Sequence, residues 1–231
     1  VREHSLRVIL DVVRRYDVDG VHMDDYFYPY REKDSQGNEI GFPDDASWGR
    51  YRAGGGKLNR ADWRRKNVDD FVQTIYRKIK SEKSGVKFGL SPFGIWRPGY
   101  PKPVRGLDAF DTLYADSRKW MMNGWADYFA PQLYWSIQSE GQSYPLLLQW
   151  WAEQNSKGRH VWPGNNAAKV GSEWKSDEIV NQIRLTRKQP GATGNTLWNV
   201  TSLRTTNGLA DALTKGVYNQ PALIPASPWL D

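Results

Sequence analysis

The chain has 231 residues, enough for one α/β domain to bury most of its apolar surface without cross-links. It contains no cysteine, which excludes a disulfide scaffold, a thiol nucleophile and any cysteine-ligated zinc or iron–sulfur site. A net charge of +6 admits anionic polymers as partners, but no apolar run reaches the ~20 residues needed to span a bilayer, and no signal peptide opens the sequence.

Residues 1–16 read as a helix, because Leu6, Ile9, Leu10 and Val13 repeat at the spacing of one buried stripe. The segment Val18 to Tyr30, VDGVHMDDYFYPY, begins as a strand and ends in the adjacent acids Asp24 and Asp25 followed by aromatics. Residues 26–61 lack periodicity, and an irregular stretch of that length starting at two acids reads as a substrate-covering loop. Its GGGK lacks the spacing of a phosphate loop, and its Pro43-Asp44-Asp45 matches no calcium loop. Val68, Phe71, Val72, Ile75 and Ile79 mark a second helix, with Gly85 as its C-terminal glycine. The basic residues Arg64, Arg65, Lys66, Arg77, Lys78 and Lys80 fall on the solvated face of that helix, which argues against a nucleic-acid surface.

A strand follows at 86–93, then an irregular stretch with Trp96 and Arg97, and a short helix around Asp116 to Met122. Strands at 126–135, 159–164 and 195–200 alternate with helices at 144–154, from a Ser176 cap through Arg187, and at 209–215 before Gly216. The tail 219–231 is proline-rich and reads as extended over the surface. Alternating strands and helices imply a parallel sheet with right-handed crossovers. No GxGxxG follows a strand, and long loops follow strands while short turns follow helices, so a (β/α)8 TIM barrel is expected over a dinucleotide-binding sheet. Five strands are visible, so the expectation is a single domain supplying the last five strand–helix units, with the first three absent.

Ligands of such folds bind at the carboxyl ends of strands, which makes Asp24 and Asp25 the first catalytic candidates. Twelve tryptophans, 12 tyrosines and 7 phenylalanines supply rings that pack cores and also stack on the C–H faces of sugars. Two acids adjacent in a regular strand point to opposite faces, so they do not form an opposed pair by themselves. A second carboxyl is sought at Asp116, whose other reading is a helix N-cap, with Glu140 as runner-up. Tyr26, Tyr28, Gln132, Tyr134 and Trp135 are the candidates for binding substrate, with Trp96 and Asn165 behind them. His4 and His160 have no ligand spacing and read as structural or exposed, and the Asn199-Val200-Thr201 sequon lies in an expected strand. No metal and no cofactor are expected.

VDGVHMDDYFYPY together with GLSPFGIWR (89–97), YADSRKW (114–120) and DYFAPQLYW (127–135) resembles the glycoside-hydrolase-like 10 family of bacterial cell-envelope proteins. The resemblance implies a TIM barrel that hydrolyses glycosidic bonds of a wall polysaccharide, peptidoglycan strands in particular. It also implies a periplasmic or secreted location, with a secretion or lipoprotein signal usual among members, and a monomer is expected. DGVHMD resembles, in addition, the acid-tipped strand of the α-amylase family, which makes Asp24 the nucleophile or electrostatic stabiliser, His22 a sugar-hydroxyl ligand and Asp25 its assistant. The alternative in a different class is a non-catalytic glycan-binding barrel.

Overall fold

The computed structural model describes residues 1–206 and 208–230. Helix α1 (Arg2–Arg15) carries Glu3 in its first turn and Arg14 and Arg15 in its last, which complements the helix dipole, and it buries Leu10 and Val13. Strand β1 (Gly20–Met23) leads into the long loop, within which α2 (Asp45–Ala53) forms. Helix α3 (Arg60–Glu82) is capped by Asn59, whose side chain accepts from the Asp62 N–H at 2.8 Å. Its stripe Val68, Val72, Ile75 and Ile79 is buried, at about 1.5–3 kcal/mol of burial for each fully covered side chain.

Strand β2 (Lys87–Leu90), the short helices α4 (Ala109–Thr112) and α5 (Ser117–Asn123), and β3 (Tyr128–Phe129) come next. Helix α6 (Tyr144–Glu153) starts with Pro145 in its first turn, where the missing N–H has no helical partner to lose. Strands β4 (His160–Val161) and β5 (Gly164–Asn166) follow, separated by Trp162 and Pro163. Helix α7 (Ser176–Lys188), β6 (Thr196–Trp198), α8 (Val200–Thr205) and α9 (Leu209–Ala212), which widens into a turn through Val217, complete the order.

The strands run parallel in the order β1-β2-β3-β4, and β5 pairs with β6. Bridges from Gln132 to Gly164 and from Val161 to Ala192 join the two parts, giving five parallel positions in chain order, one arc of a barrel. Side chains alternate across it. Phe88, Leu90, Phe129 and Val161 are fully buried under the helices, in one core with Val72, Ile75, Trp120, Leu147 and Trp151. The opposite face, carrying His22, Gly89 and Tyr128 in one register row, is the lumen side.

Several local expectations are corrected. Helix α2 has no apolar stripe and buries no residue, which is why periodicity misses it; Trp48 and Tyr51 hold it by packing on Trp63 of α3. Helix α3 ends at Lys83 in an extended conformation, not at Gly85. Ser176 is the first residue of α7 rather than its cap, and Asn199, just past the end of β6, caps α8 by accepting from the Ser202 N–H. The tail does run over the surface, with residues 219–224 exposed, and its end is tied down: Trp229 Nε1 donates to Asp127 Oδ1 at 2.8 Å, and Ser227 Oγ lies 2.9 Å from His160 Nε2. Asp231 lies outside the described residues.

Candidate active site

The strand β1 delivers its acids in opposite senses, as the alternation of a pleated chain requires. Asp24 is exposed on the lumen side, where its Oδ1 accepts from Gln132 Nε2 at 2.7 Å and from the Asp25 N–H at 2.8 Å. Asp25 is only 3% exposed, and Tyr30 donates its hydroxyl to Asp25 Oδ2 at 2.5 Å. Burial raises the Asp25 pKa above the ordinary carboxylate value; the Tyr30 hydrogen bond opposes this and the neighbouring Asp24 charge adds to it. The two acids are therefore unequal: one faces solvent, the other holds its proton to higher pH than a free aspartate.

One layer below, His22 stacks on Tyr128 with ring centroids 5.6 Å apart, and its Nδ1 is 3.1 Å from the Tyr128 hydroxyl. The residue is open to solvent by area, but enough atoms crowd the ring that desolvation lowers its pKa despite the Asp24 charge. Tyr128, whose own pKa burial pushes up to about 12, reaches His22 by lying over Gly89. A Cβ at Gly89 would stand 1.9 Å from Tyr128 Cζ, so the absent side chain makes this contact. Trp162 continues the row, stacked on Tyr128 at 4.4 Å.

Of the expected binding residues, Gln132 joins Asp24 directly. Burial raises the Tyr134 phenol pKa, and the charges of Asp24 and Asp25 raise it further. Trp135 packs edge-on against Phe93 at 5.7 Å and against the core. Tyr26 is 74% exposed at the mouth, and Tyr28 packs between Phe42 and Tyr114 in the loop wall.

Four expected residues fare differently. Asp116 accepts from Trp96 Nε1 at 3.1 Å and from the Lys119 N–H at 3.3 Å, so it is the N-cap of α5, and burial raises its pKa. Among the described residues no hydrogen bond or ion pair links it, or the exposed Glu140, to Asp24 or Asp25. Trp96 is a core residue stacked on Trp150 at 6.0 Å, with no face left for a sugar. Asn165 is completely buried and donates to Tyr144 Oη and Gln182 Oε1 while accepting from Asn195, a closed network without access to substrate. Asp44 of the acidic loop pair is held by Arg60 and Arg64, which pull its pKa down against burial.

Tyr30, Tyr128 and Gly89 are the site residues that sequence reasoning did not single out. Each lies inside a segment read as functional, but side-chain contact across strands leaves no mark on spacing.

The model of the family described as "Glycosyl hydrolase-like 10" matches residues 1–181. The chain is 40% identical over 245 aligned residues to "Glycosyl hydrolase YngK" of Bacillus subtilis (strain 168), an alignment covering 100% of this chain and 46% of that protein. It is 35% identical over 213 residues to "Glycosyl hydrolase DigH" of Escherichia coli (strain K12), covering 86% of this chain and 47% of the relative. The chain thus spans about half the length of these curated relatives. In fold it is similar to the PgaB (BpsB) glycoside hydrolase domain from Bordetella bronchiseptica, with a TM-score of 0.60, 12% identity, and coverage of 91% of this chain and 60% of that one. With a parallel arc in TIM-barrel order and a family match across most of its length, this chain belongs to the glycosyl hydrolase-like 10 family.

Proposed function

We propose that the chain carries one side of the active site of a glycoside hydrolase that cleaves the glycan of a bacterial cell wall, with peptidoglycan strands as the substrate class. The observation that carries this reading is the exposed Asp24 at the carboxyl end of β1, oriented by Gln132 and backed by the buried Asp25. Cleavage passes through a transition state with positive charge at the anomeric carbon. Asp24 faces that charge as nucleophile or stabiliser. Asp25, buried beneath it with a raised pKa, takes the Tyr30 hydroxyl and holds that ring in place. His22 and Tyr134 offer hydrogen-bonding groups to sugar hydroxyls at the same end of the lumen.

The leaving-group oxygen takes its proton from a second carboxyl on another strand end, about 5–5.5 Å away for retention or 6.5–9.5 Å for inversion. Asp116 caps α5 through Oδ1 and, among the described residues, makes no hydrogen bond or ion pair with Asp24 or Asp25. Action on a wall polymer is action in the cell envelope; no helix among the described residues is long and apolar enough to cross a membrane.

The test uses full-length protein on glycan strands stripped of peptide, with new reducing ends as the readout. Asp24→Asn should lower kcat by about 100-fold or more while binding persists. Digestion at the wild-type rate by that variant would sink the assignment, and binding by the wild type without any product would make the protein a glycan-binding barrel.

A further inference from the structure

Tyr30 has two sides. Its hydroxyl bonds Asp25, while its ring lines a separate cavity of about 480 Å³ in the loop wall, bounded also by Tyr28, Phe42, Tyr114 and Arg64. That volume lies within the range of small-molecule sites. Tyr28 meets Phe42 and Tyr114 edge-on, with centroids at 4.9 and 5.0 Å, and fixes the angle between them. Phe42 is 40% exposed, an aromatic side chain left open in the cavity lining.

Tyr114 is the one described non-glycine residue with a positive φ, at 52°. The left-handed conformation costs about 1–2 kcal/mol for such a residue, and it persists where the surroundings over-determine it. Here Arg64 does so: its Nη1 donates to the Tyr114 hydroxyl at 2.6 Å, and its guanidinium lies 4.9 Å from the ring centroid. The remaining donors of Arg64 go to Asp44, through Nε at 2.8 Å and Nη2 at 2.7 Å, with a longer bond to the Phe42 carbonyl at 3.5 Å. One arginine thus anchors both rings.

The charge pattern selects the occupant. Arg64 is neutralised by Asp44, and Arg31, on the rim, by Glu39 at 2.7 Å. No cation in the lining is left for a phosphate or carboxylate, whereas open aromatic faces suit the C–H face of an uncharged pyranose.

We propose that this cavity is a saccharide subsite, next to the catalytic acids, that stacks a neutral pyranose of the bound glycan on Phe42 and Tyr114. The proposal rests on the glycan reading above and extends it beyond the bond being cleaved. Tyr114, Phe42 and Arg64 then set how much chain the enzyme grips, and Tyr30 is the wall shared by subsite and acids.

The experiment measures binding of N-acetylglucosamine oligomers of two and six rings by calorimetry to full-length protein carrying Asp24→Asn, alone and with Phe42→Ala or Tyr114→Asn. Asparagine tolerates the left-handed backbone, so the second change removes the ring without refolding the turn. The parent should bind six rings more tightly than two, and each variant should weaken six-ring binding about three- to tenfold and flatten that length dependence. Because Phe42 is at the surface, its variant tests the subsite even if Tyr114→Asn perturbs the loop. Six-ring binding unchanged in Phe42→Ala overturns the subsite while leaving the hydrolase reading intact. Weakened binding in the variants without glycan digestion by the wild type supports the subsite and removes the hydrolase. No binding by the parent overturns the subsite, and no digestion alongside it overturns both.

Discussion

Gln132 Nε2 lies 2.7 Å from Asp24 Oδ1, joining residues 108 positions apart in sequence. The amide is placed from three sides: the Gln132 main chain bridges Phe93 and Gly164, and its Nε2 also reaches the Ser91 carbonyl at 3.1 Å. Such an arrangement holds one carboxylate oxygen in a fixed direction; in the proposed hydrolase that is the form of preorganisation that lowers barriers rather than merely tightening binding.

Gln132→Leu should therefore reduce kcat of the full-length enzyme by about 10- to 100-fold, the worth of one hydrogen bond to a charged group. Steady-state kinetics on glycan strands check it. An unchanged kcat with a raised KM would reassign Gln132 to binding alone.

Asp25 predicts a pH-dependent stability. Its pKa is raised in the folded state above the ordinary 3.8. The folded protein then binds the proton more tightly than the unfolded chain, so the contribution is full below the unfolded pKa and is lost as pH rises through the folded one. Asp25→Asn removes that loss. Its thermal midpoint relative to wild type should climb as pH rises above the ordinary aspartate value of 3.8, and a difference that stays constant with pH would contradict a raised pKa.

Gly89→Ala should destabilise by about 1–3 kcal/mol, because its methyl group meets the Tyr128 ring and pushes it off His22. In urea unfolding, Gly89→Ala combined with Tyr128→Ala should lose less than the sum of the two single changes. Strict additivity would show that the ring does not lie over the glycine.

At the opposite end of the strands, Asp127 is completely buried and accepts from the Phe88 N–H at 2.7 Å, Lys80 Nζ at 2.6 Å and Trp229 Nε1 at 2.8 Å. Burial outweighs the ion pair at Lys80 and lowers its pKa. Asp127→Ala would strand these donors and should cost about 3–5 kcal/mol, measured by denaturant unfolding. A change below about 1 kcal/mol would mean that water reaches the cluster.

Much of the fold is legible along the chain. The stripes Leu10–Val13 and Val68–Ile79 fall on the buried faces of α1 and α3, and the strand and helix alternation specifies a parallel sheet. Helix α2 is not legible, because its stability comes from Trp48 and Tyr51 against α3 rather than from a stripe of its own. The site divides in the same way. Asp24 is recognisable from an acid at a strand end, and Asp25 from adjacency, but their inequality is a matter of burial.

The sequence by itself determined the alternating α/β order, the family through four ordered motifs, and the acid-tipped strand, since these depend on local pattern and period. Tertiary structure alone decided which polar residues meet solvent. It turned Asp24 toward Gln132 and Asp25 under Tyr30, closed Asn165 into a network, committed Asp116 to a helix cap, and brought Tyr114 and Phe42 around one cavity. The physical reason is that burial and cross-strand contact depend on neighbours distant in sequence, and these set both the charge state and the reach of each side chain.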